Sequence, residues 1–82
     1  MRDLHISNHF IARYAERILC STVPSVISTS FKQKVLKDMS NRIMDRERRF
    51  INTFKESADA VKLPFNKIHH IVMQNKTLVT IY

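Results

Sequence analysis

The chain contains no glycine, and this absence limits the chemistry that it can perform. Average usage would place about six glycines in a chain of this length. P-loops and GxGxxG dinucleotide turns need backbone conformations that only glycine supplies, so the sequence excludes nucleotide-cofactor enzymes of both kinds. We therefore expect no cofactor.

Cysteine and long apolar runs are equally scarce. Cys20 is the single cysteine, which excludes an internal disulfide and a thiolate metal cluster within one chain. No run approaches the roughly 18 apolar residues that a membrane span requires, and the opening MRDLHIS lacks the apolar segment of a secretory signal. These absences predict a single soluble domain over residues 1–82, located in the cytoplasm.

Positive charge is the strongest global feature that is present. The 82 residues carry 14 Lys and Arg against 7 Asp and Glu, giving a formal charge of +7. Both halves of the chain share this excess, so the folded surface itself must be positive. Such a surface attracts polyanions, which makes nucleic acid or an acidic protein surface the expected partner.

The N-terminal quarter predicts a short strand followed by a helix. Residues 2–7 alternate polar and apolar side chains, which favours a strand with one buried face, and Ser7 or Asn8 can cap a helix that follows. Apolar residues then recur at helical spacing, and the helix is expected to end at Thr22–Pro24 because the residue before proline avoids helical geometry. The predicted apolar stripe is Ile11, Tyr14, Ala15, Ile18 and Leu19.

The middle of the chain predicts a second helix that begins near Phe31, after caps offered by Ser28, Thr29 and Ser30. Its apolar side chains recur every four residues, and the polar run at 45–49 interrupts them. A continuous helix over 31–61 would be about 45 Å long, whereas a domain of this size has a radius of gyration of about 12 Å. The helix therefore breaks near 44–49, or it projects and forms a homodimer. The predicted stripe is Phe31, Val35, Met39, Ile43, Phe50, Phe54 and Ala58.

The C-terminal region predicts a β-hairpin that begins after Pro64. Two β-rich runs meet at Asn75-Lys76, where asparagine can take a left-handed turn position. A two-residue turn pairs Val72 with Val79, His70 with Ile81, and His69 with Tyr82. A two-stranded hairpin is marginal alone, so residues 2–7 are expected as a third strand. The predicted class is α+β, with helices packed on a small antiparallel sheet.

Two basic surfaces are candidate binding sites. His9, Arg13 and Arg17 follow one another at four-residue steps on the polar side of the first helix; the alternative is a solvated face that Glu16 partly compensates. The second surface lies on the middle helix, where the alternative is internal pairing such as Asp45 with Arg49. The predicted nucleic-acid contacts are Arg13, Arg17, Lys34, Arg42, Arg46 and Arg49.

The histidines do not form a metal-ligand pattern. His69 and His70 are neighbours in a predicted strand and so point to opposite faces. His5 and His9 have HxxxH spacing, but they straddle the predicted strand-to-helix junction. We therefore predict no metal site.

The two ends of the chain carry a family resemblance. HISNHFIARYAERIL resembles the S-x-H-A-x-x-R opening of small toxin-like and phage-encoded proteins of the barnase, EndoU, colicin and RelE-like ribonuclease group, and TLVTIY is similar to their last strand. The resemblance implies a helical part packed on an antiparallel sheet whose polar residues face RNA. It implies catalytic roles for His9, Arg13, Thr80 and Tyr82, with Arg17 as an added phosphate contact.

Three functions follow as hypotheses. The first is RNA binding, with metal-independent endoribonuclease activity that uses a base, a cation and an acid. The second is a non-enzymatic phage host-takeover protein in the host cytoplasm, which binds and inhibits a nucleic-acid machine such as RNA polymerase. The third is a dimeric DNA-binding protein that uses the helix over 31–61.

Overall fold

Over the described residues, three helices and a four-stranded sheet make up the fold, and the predicted α+β class is confirmed. The computed structural model describes residues 4–82. Its elements in chain order are β1 (His5–Ile6), α1 (Asn8–Arg17), α2 (Thr29–Arg42), α3 (Asp45–Phe54), β2 (Val61–Phe65), β3 (His69–Gln74) and β4 (Thr77–Ile81).

The sheet has the order β1-β4-β3-β2, with β2, β3 and β4 antiparallel. The predicted third strand is present at His5–Ile6; residues 2 and 3 of that prediction lie outside the described residues. β1 runs parallel to β4, and the Ser7 N–H after it donates to the carbonyl of Leu78 at 3.1 Å. The chain then continues directly into α1. The sheet is therefore mixed, where antiparallel pairing alone was expected.

Helix α1 begins where predicted and ends earlier. Ser7 caps it, since its hydroxyl accepts a hydrogen bond from the Phe10 N–H at 3.0 Å. The last helical residue is Arg17, and Cys20 then turns the chain with a φ of 52°. The prediction that Thr22–Pro24 ends the helix was wrong because this left-handed turn acts first.

The long helix over 31–61 does not form, and of the two alternatives the break is the one that occurs, at Ile43 and Met44. α2 ends at Arg42, Ile43 is extended, and α3 begins at Asp45. The longest dimension of the molecule is 32 Å, too short for a continuous helix of about 45 Å. The break lets α3 fold back against β2. The homodimer through 31–61 thus loses the continuous helix on which it was based.

The buried side of α3 also differs from the predicted stripe. Glu47 and Ile51 are buried, Phe50 is half-buried, and Phe54 is 39% exposed. Ala58 lies beyond the helix and is exposed. The four-residue stripe failed here because it assumed one helix with one continuous face.

Pro64 lies inside β2 rather than before the sheet, which corrects its predicted role as a boundary. It is opposite His70. The backbone of His70 is hydrogen-bonded to Tyr82 on the other side. In antiparallel pairing, the Pro64 nitrogen therefore faces the free edge of β2, where proline removes no ladder hydrogen bond.

The hairpin turn is confirmed, whereas most of its predicted register is wrong. Asn75 and Lys76 have φ values of 49° and 63°, and a two-residue hairpin turn of type I′ requires a positive φ at both central residues. A β-bulge then shifts the pairing by one, so that Val72 is opposite Thr80 and Ile71 is opposite Ile81. The predicted pairs Val72–Val79, His70–Ile81 and His69–Tyr82 do not form. His70 and Tyr82 instead exchange two backbone hydrogen bonds, of 2.5 and 2.9 Å.

The core lies between the helices and one face of the sheet. An aromatic row crosses it, with ring centroids of Phe10 and Tyr14, and of Tyr14 and Phe65, both 6.1 Å apart. The confirmed members of the predicted stripes are Ile11, Tyr14, Ala15, Val35, Met39 and Ile43, and the sheet contributes Leu63, Phe65, Ile71, Met73, Leu78 and Ile81.

Tyr14 and Asp38 join α1 to α2. The Tyr14 hydroxyl donates to Asp38 Oδ2 at 2.6 Å, and Arg42 Nε donates to the same oxygen at 2.7 Å. Tyr14 is fully buried. This burial, strengthened by the hydrogen bond to Asp38, raises the pKa of the Tyr14 hydroxyl well above its ordinary value of 10.0.

The shift predicts an alkaline loss of stability. The folded state keeps the proton that an unfolded tyrosine releases, so the contribution is complete below pH 10 and declines above it, by about 1.4 kcal/mol per pH unit. Tyr14→Phe removes this dependence. Urea denaturation of both proteins at pH 8, 10 and 11 measures the difference, which should shrink above pH 10. A constant difference across the three pH values would contradict the assignment.

Candidate nucleic-acid interface

The predicted row on α1 consists of one exposed histidine and two arginines that already have partners. His9 is exposed in the first turn of the helix. Arg13 Nη1 is 2.8 Å from Glu16 Oε2, and both side chains are about two-fifths exposed, at 40% and 43%. The sequence analysis gave as its alternative a solvated helix face whose positive charge Glu16 partly compensates. The ion pair of Glu16 with Arg13 shows that this compensation is present.

Arg17 connects α1 to the end of β4. Its Nη1 donates to the carbonyl of Ile81 at 2.5 Å, and the Ser7 hydroxyl donates to the carbonyl of Val79 at 2.8 Å. These two side chains satisfy carbonyls of β4 beyond the short pairing with β1. Arg17 consequently has a structural contact, and its other guanidinium donors are the ones left for a ligand.

The second predicted surface divides into paired and unpaired cations. Arg42 is paired with Asp38, and this hydrogen bond raises the pKa of the Arg42 guanidinium. Arg48 Nη2 donates to the carbonyl of Ser40 at 2.9 Å. Within residues 4–82, Lys34, Arg46 and Arg49 are exposed and form no ion pair. The alternative pair between Asp45 and Arg49 is not made there.

Glu47 was missed by the sequence analysis, which treated 45–49 as polar on every side. Its side chain is only 3% exposed. Oε1 accepts a hydrogen bond from the Met44 N–H at 2.9 Å, and Oε2 accepts one from the Asn66 N–H at 2.7 Å. The available signal was a glutamate three residues after a helix break, which is the spacing of a capping box.

The predicted catalytic residues occupy two different elements. His9 and Arg13 are on α1, whereas Thr80 and Tyr82 belong to β4 and the residue after it. No hydrogen bond, ion pair or ring contact joins the first two to the last two in the described part of the chain. Arg17 is the member of the α1 row that reaches the end of β4.

Thr80 and Tyr82 lie on the side of the sheet opposite to the core. We call this surface the open sheet face and define it by strand residues that alternate with the buried ones. None of its side chains is buried, and it extends over three antiparallel strands. Its members are Lys62, Pro64, His70, Val72, Gln74, Thr80 and Tyr82.

Contacts across the open sheet face place Lys62, His70 and Tyr82 together. Lys62 Nζ lies 5.1 Å from the centroid of the Tyr82 ring, close enough for a cation–π contact. Tyr82 is 46% exposed, and its backbone is paired with that of His70. Lys62 was not among the predicted site residues. The alternation of buried and exposed positions in VKLPF could have indicated it.

The described histidines do not assemble into a metal centre. In residues 4–82 no three His, Cys, Asp or Glu side chains lie close enough together to hold an ion. His70 is exposed, whereas the Nδ1 atom of His69 is buried and has no hydrogen-bond partner. Over the same residues, none of the helices has the length and hydropathy of a membrane span.

No protein-family model, curated protein or solved structure matches this chain. Its function is therefore inferred from the geometry and charge of its own residues.

Proposed function

We propose that this protein binds nucleic acid, with RNA as the ligand class, through its positively charged surface. The observation that carries the proposal is the way its carboxylates are used. Glu16, Asp38 and Glu56 each form an ion pair with one arginine or lysine, and Glu47 is buried against backbone N–H groups. Several exposed or half-exposed cations in the described part of the chain have no carboxylate partner: Lys32, Lys34, Lys37, Arg46, Arg49, Lys62 and Lys67.

Unpaired cations on a small body favour phosphate as the ligand. The formal charge is +7 on a molecule with a radius of gyration of 11.9 Å, and this excess of positive charge on a small surface attracts polyanions. Each phosphate that contacts a lysine or arginine releases counterions, which makes binding depend strongly on salt. Arginine adds a planar set of donors that matches phosphate oxygens.

Binding is expected to weaken steeply with salt, and the steepness should depend on α3. Each phosphate contact contributes a slope of about 0.7 to 0.9 in a plot of log affinity against log salt. Replacing Arg46 and Arg49 together with glutamine should therefore lower the slope by about 1.4 to 1.8. Fluorescence anisotropy with a labelled RNA between 50 and 200 mM salt measures it.

The matched control removes two charges elsewhere. Lys55→Gln with Lys76→Gln changes two lysines that are not among the unpaired cations named above, and it lowers the formal charge by the same amount. It should leave the slope within about 0.5 of the original, because these side chains are not among the predicted contacts. An equal fall in both variants would mean that net charge alone matters. No binding by the original protein at 50 mM salt would overturn the proposed function.

The competing hypothesis is that the same positive surface binds and inhibits a host nucleic-acid machine such as RNA polymerase. RNA and such a host machine are both present in the cytoplasm, where we expect the protein to be located. A pull-down from nuclease-treated lysate separates the two, since a stoichiometric protein partner that survives nuclease, together with weak RNA binding, favours the inhibitor. The dimeric DNA-binding hypothesis has no support from a long helix, because α2 and α3 are separate.

RNA cleavage is a second candidate, favoured by the juxtaposition of His70, Tyr82 and Lys62. These supply a base, an acid and a cation on one surface. Incubation of end-labelled RNA in EDTA tests for metal-independent cleavage, and absence of products with the original protein removes this candidate. If products form, His70→Ala tests the open sheet face, while His9→Ala and Arg13→Ala test the residues that the family resemblance implies.

A further inference from the structure

The open sheet face combines an exposed aromatic ring with one lysine, Lys62, and no acidic side chain. We propose that it binds single-stranded RNA by stacking a base on Tyr82, with Lys62 holding the adjacent phosphate. This inference rests on the proposed function, and it specifies single-stranded RNA as the ligand and the open sheet face as the binding surface. The basic residues of α2 and α3 are a separate surface, which does not need an unpaired base.

The shape of the surface suits an extended strand. It extends over β2, β3 and β4, and neighbouring strands are about 4.8 Å apart, so its three rows cover about 10 Å. The β-bulge determines which side chains meet, since it sets Thr80 beside Val72 and Tyr82 beside His70. Without the bulge, Tyr82 would be opposite His69. His69 is on the same side of β3 as Ile71 and Met73, which face the core, so the Tyr82 ring would not lie on the open sheet face.

Charge complementarity identifies the ligand as a polyanion. Residues 61–82 contain no Asp or Glu, while they include Lys62, Lys67 and Lys76. Lys76 is within 3.4 Å of Glu56 at the turn, but Lys62 forms no ion pair within the described residues and lies over the Tyr82 ring. A phosphate backbone that crosses β2–β4 therefore meets no negative side chain from these strands.

The Tyr82 ring distinguishes a single strand from a duplex. Base–aromatic stacking requires a base face that is free, and paired bases inside a helix do not offer one. At 46% exposure the ring is accessible, and an incoming base can replace the Lys62 ammonium, which then moves to a phosphate. His70 and Thr80 lie beside the ring on adjacent positions of the face and can hydrogen-bond to base edges.

The test compares a single-stranded RNA of ten nucleotides with a duplex of the same sequence, using anisotropy at fixed salt. Tyr82→Ala should weaken single-strand binding by about 5- to 150-fold, the range for loss of one stacked base. It should leave duplex binding within about twofold, because the duplex depends on the other cations. Tyr82→Phe should restore single-strand affinity, since the ring is the group that acts.

Two controls keep the result specific. Phe54→Ala removes an exposed ring on α3, outside the open sheet face, and should change neither affinity, and thermal unfolding of each variant verifies that the fold is intact. If Tyr82→Ala binds the single strand as well as the original protein, or loses affinity equally for both RNAs, this inference is overturned. The proposed function would still stand if salt-dependent RNA binding persisted, and it fails separately if the original protein binds neither RNA.

Discussion

Replacing Phe65 with alanine is expected to lower the free energy of unfolding by about 3 to 5 kcal/mol, the range for truncating a large buried aromatic side chain. Phe65 is fully buried and packs beside Tyr14, with ring centroids 6.1 Å apart. A domain of this size has a total stability of about 4 to 12 kcal/mol. The loss is therefore a large fraction of the total, and part of the population should be unfolded at 37 °C.

Urea denaturation followed by circular dichroism measures this effect. Phe65→Leu keeps most of the apolar volume and should cost only about 1 to 1.5 kcal/mol. Phe54→Ala is the control for loss of an aromatic ring at the surface, because Phe54 is 39% exposed, and it should cost less than about 1 kcal/mol. Equal losses at positions 54 and 65 would contradict the assignment of Phe65 to the core.

Glu47→Gln is expected to destabilise the protein by about 2 to 3 kcal/mol, a large effect for the exchange of one atom. The Glu47 carboxylate accepts hydrogen bonds from the Met44 and Asn66 N–H groups, one at each oxygen. A glutamine has one oxygen and one NH₂ group, so one backbone N–H would face a donor. Because the site is buried, water cannot satisfy the group that is left unpaired.

Denaturant unfolding at neutral pH measures the loss, and hydrogen exchange locates it. The Met44 and Asn66 amides should lose protection first, because these are the donors that the carboxylate holds. Glu56→Gln is the matched control, since the Glu56 side chain is 68% exposed and its pairing with Lys76 is weak at 3.4 Å. If the two glutamine variants were equally stable, Glu47 would have no role in fixing the fold.

Glu47 also determines where the α3 cations lie relative to the sheet. It begins α3 through Met44 and attaches the helix to the turn between β2 and β3 through Asn66. Arg46 and Arg49 are on this helix, and Lys62 is on β2. The buried carboxylate thus fixes the spacing between the two basic surfaces that we propose for RNA.

Local patterns predicted the elements that depend on nearby residues. The cap at Ser7 or Asn8 and the spacing of apolar residues were sufficient to predict where α1 begins, and Asn75-Lys76 was sufficient to predict the hairpin turn. Each of these features is set by residues within a few positions of one another. For the middle of the chain, the size of the domain left two alternatives, a broken helix or a projecting one, and the break is the one that occurs.

Features that depend on distant contacts could not be predicted in the same way. The β-bulge beside Val72 changes the partner of every later residue in the hairpin, and no residue there marks it as glycine would. The burial of Glu47 depends on the Asn66 N–H, 19 positions away. Within the candidate site, spacing placed His9, Arg13 and Arg17 on one helix face, but it could not show that Arg17 would reach the Ile81 carbonyl.

Pro64 has a consequence for how copies of this chain meet. A free edge strand normally offers alternating N–H and C=O groups, on which a second molecule can extend the sheet. Pro64 places a ring nitrogen without hydrogen at the outer side of β2, so a ladder between two molecules would be interrupted at its fourth residue. The chain therefore resists fibre growth along this edge, where Lys62 on the same strand adds a positive charge.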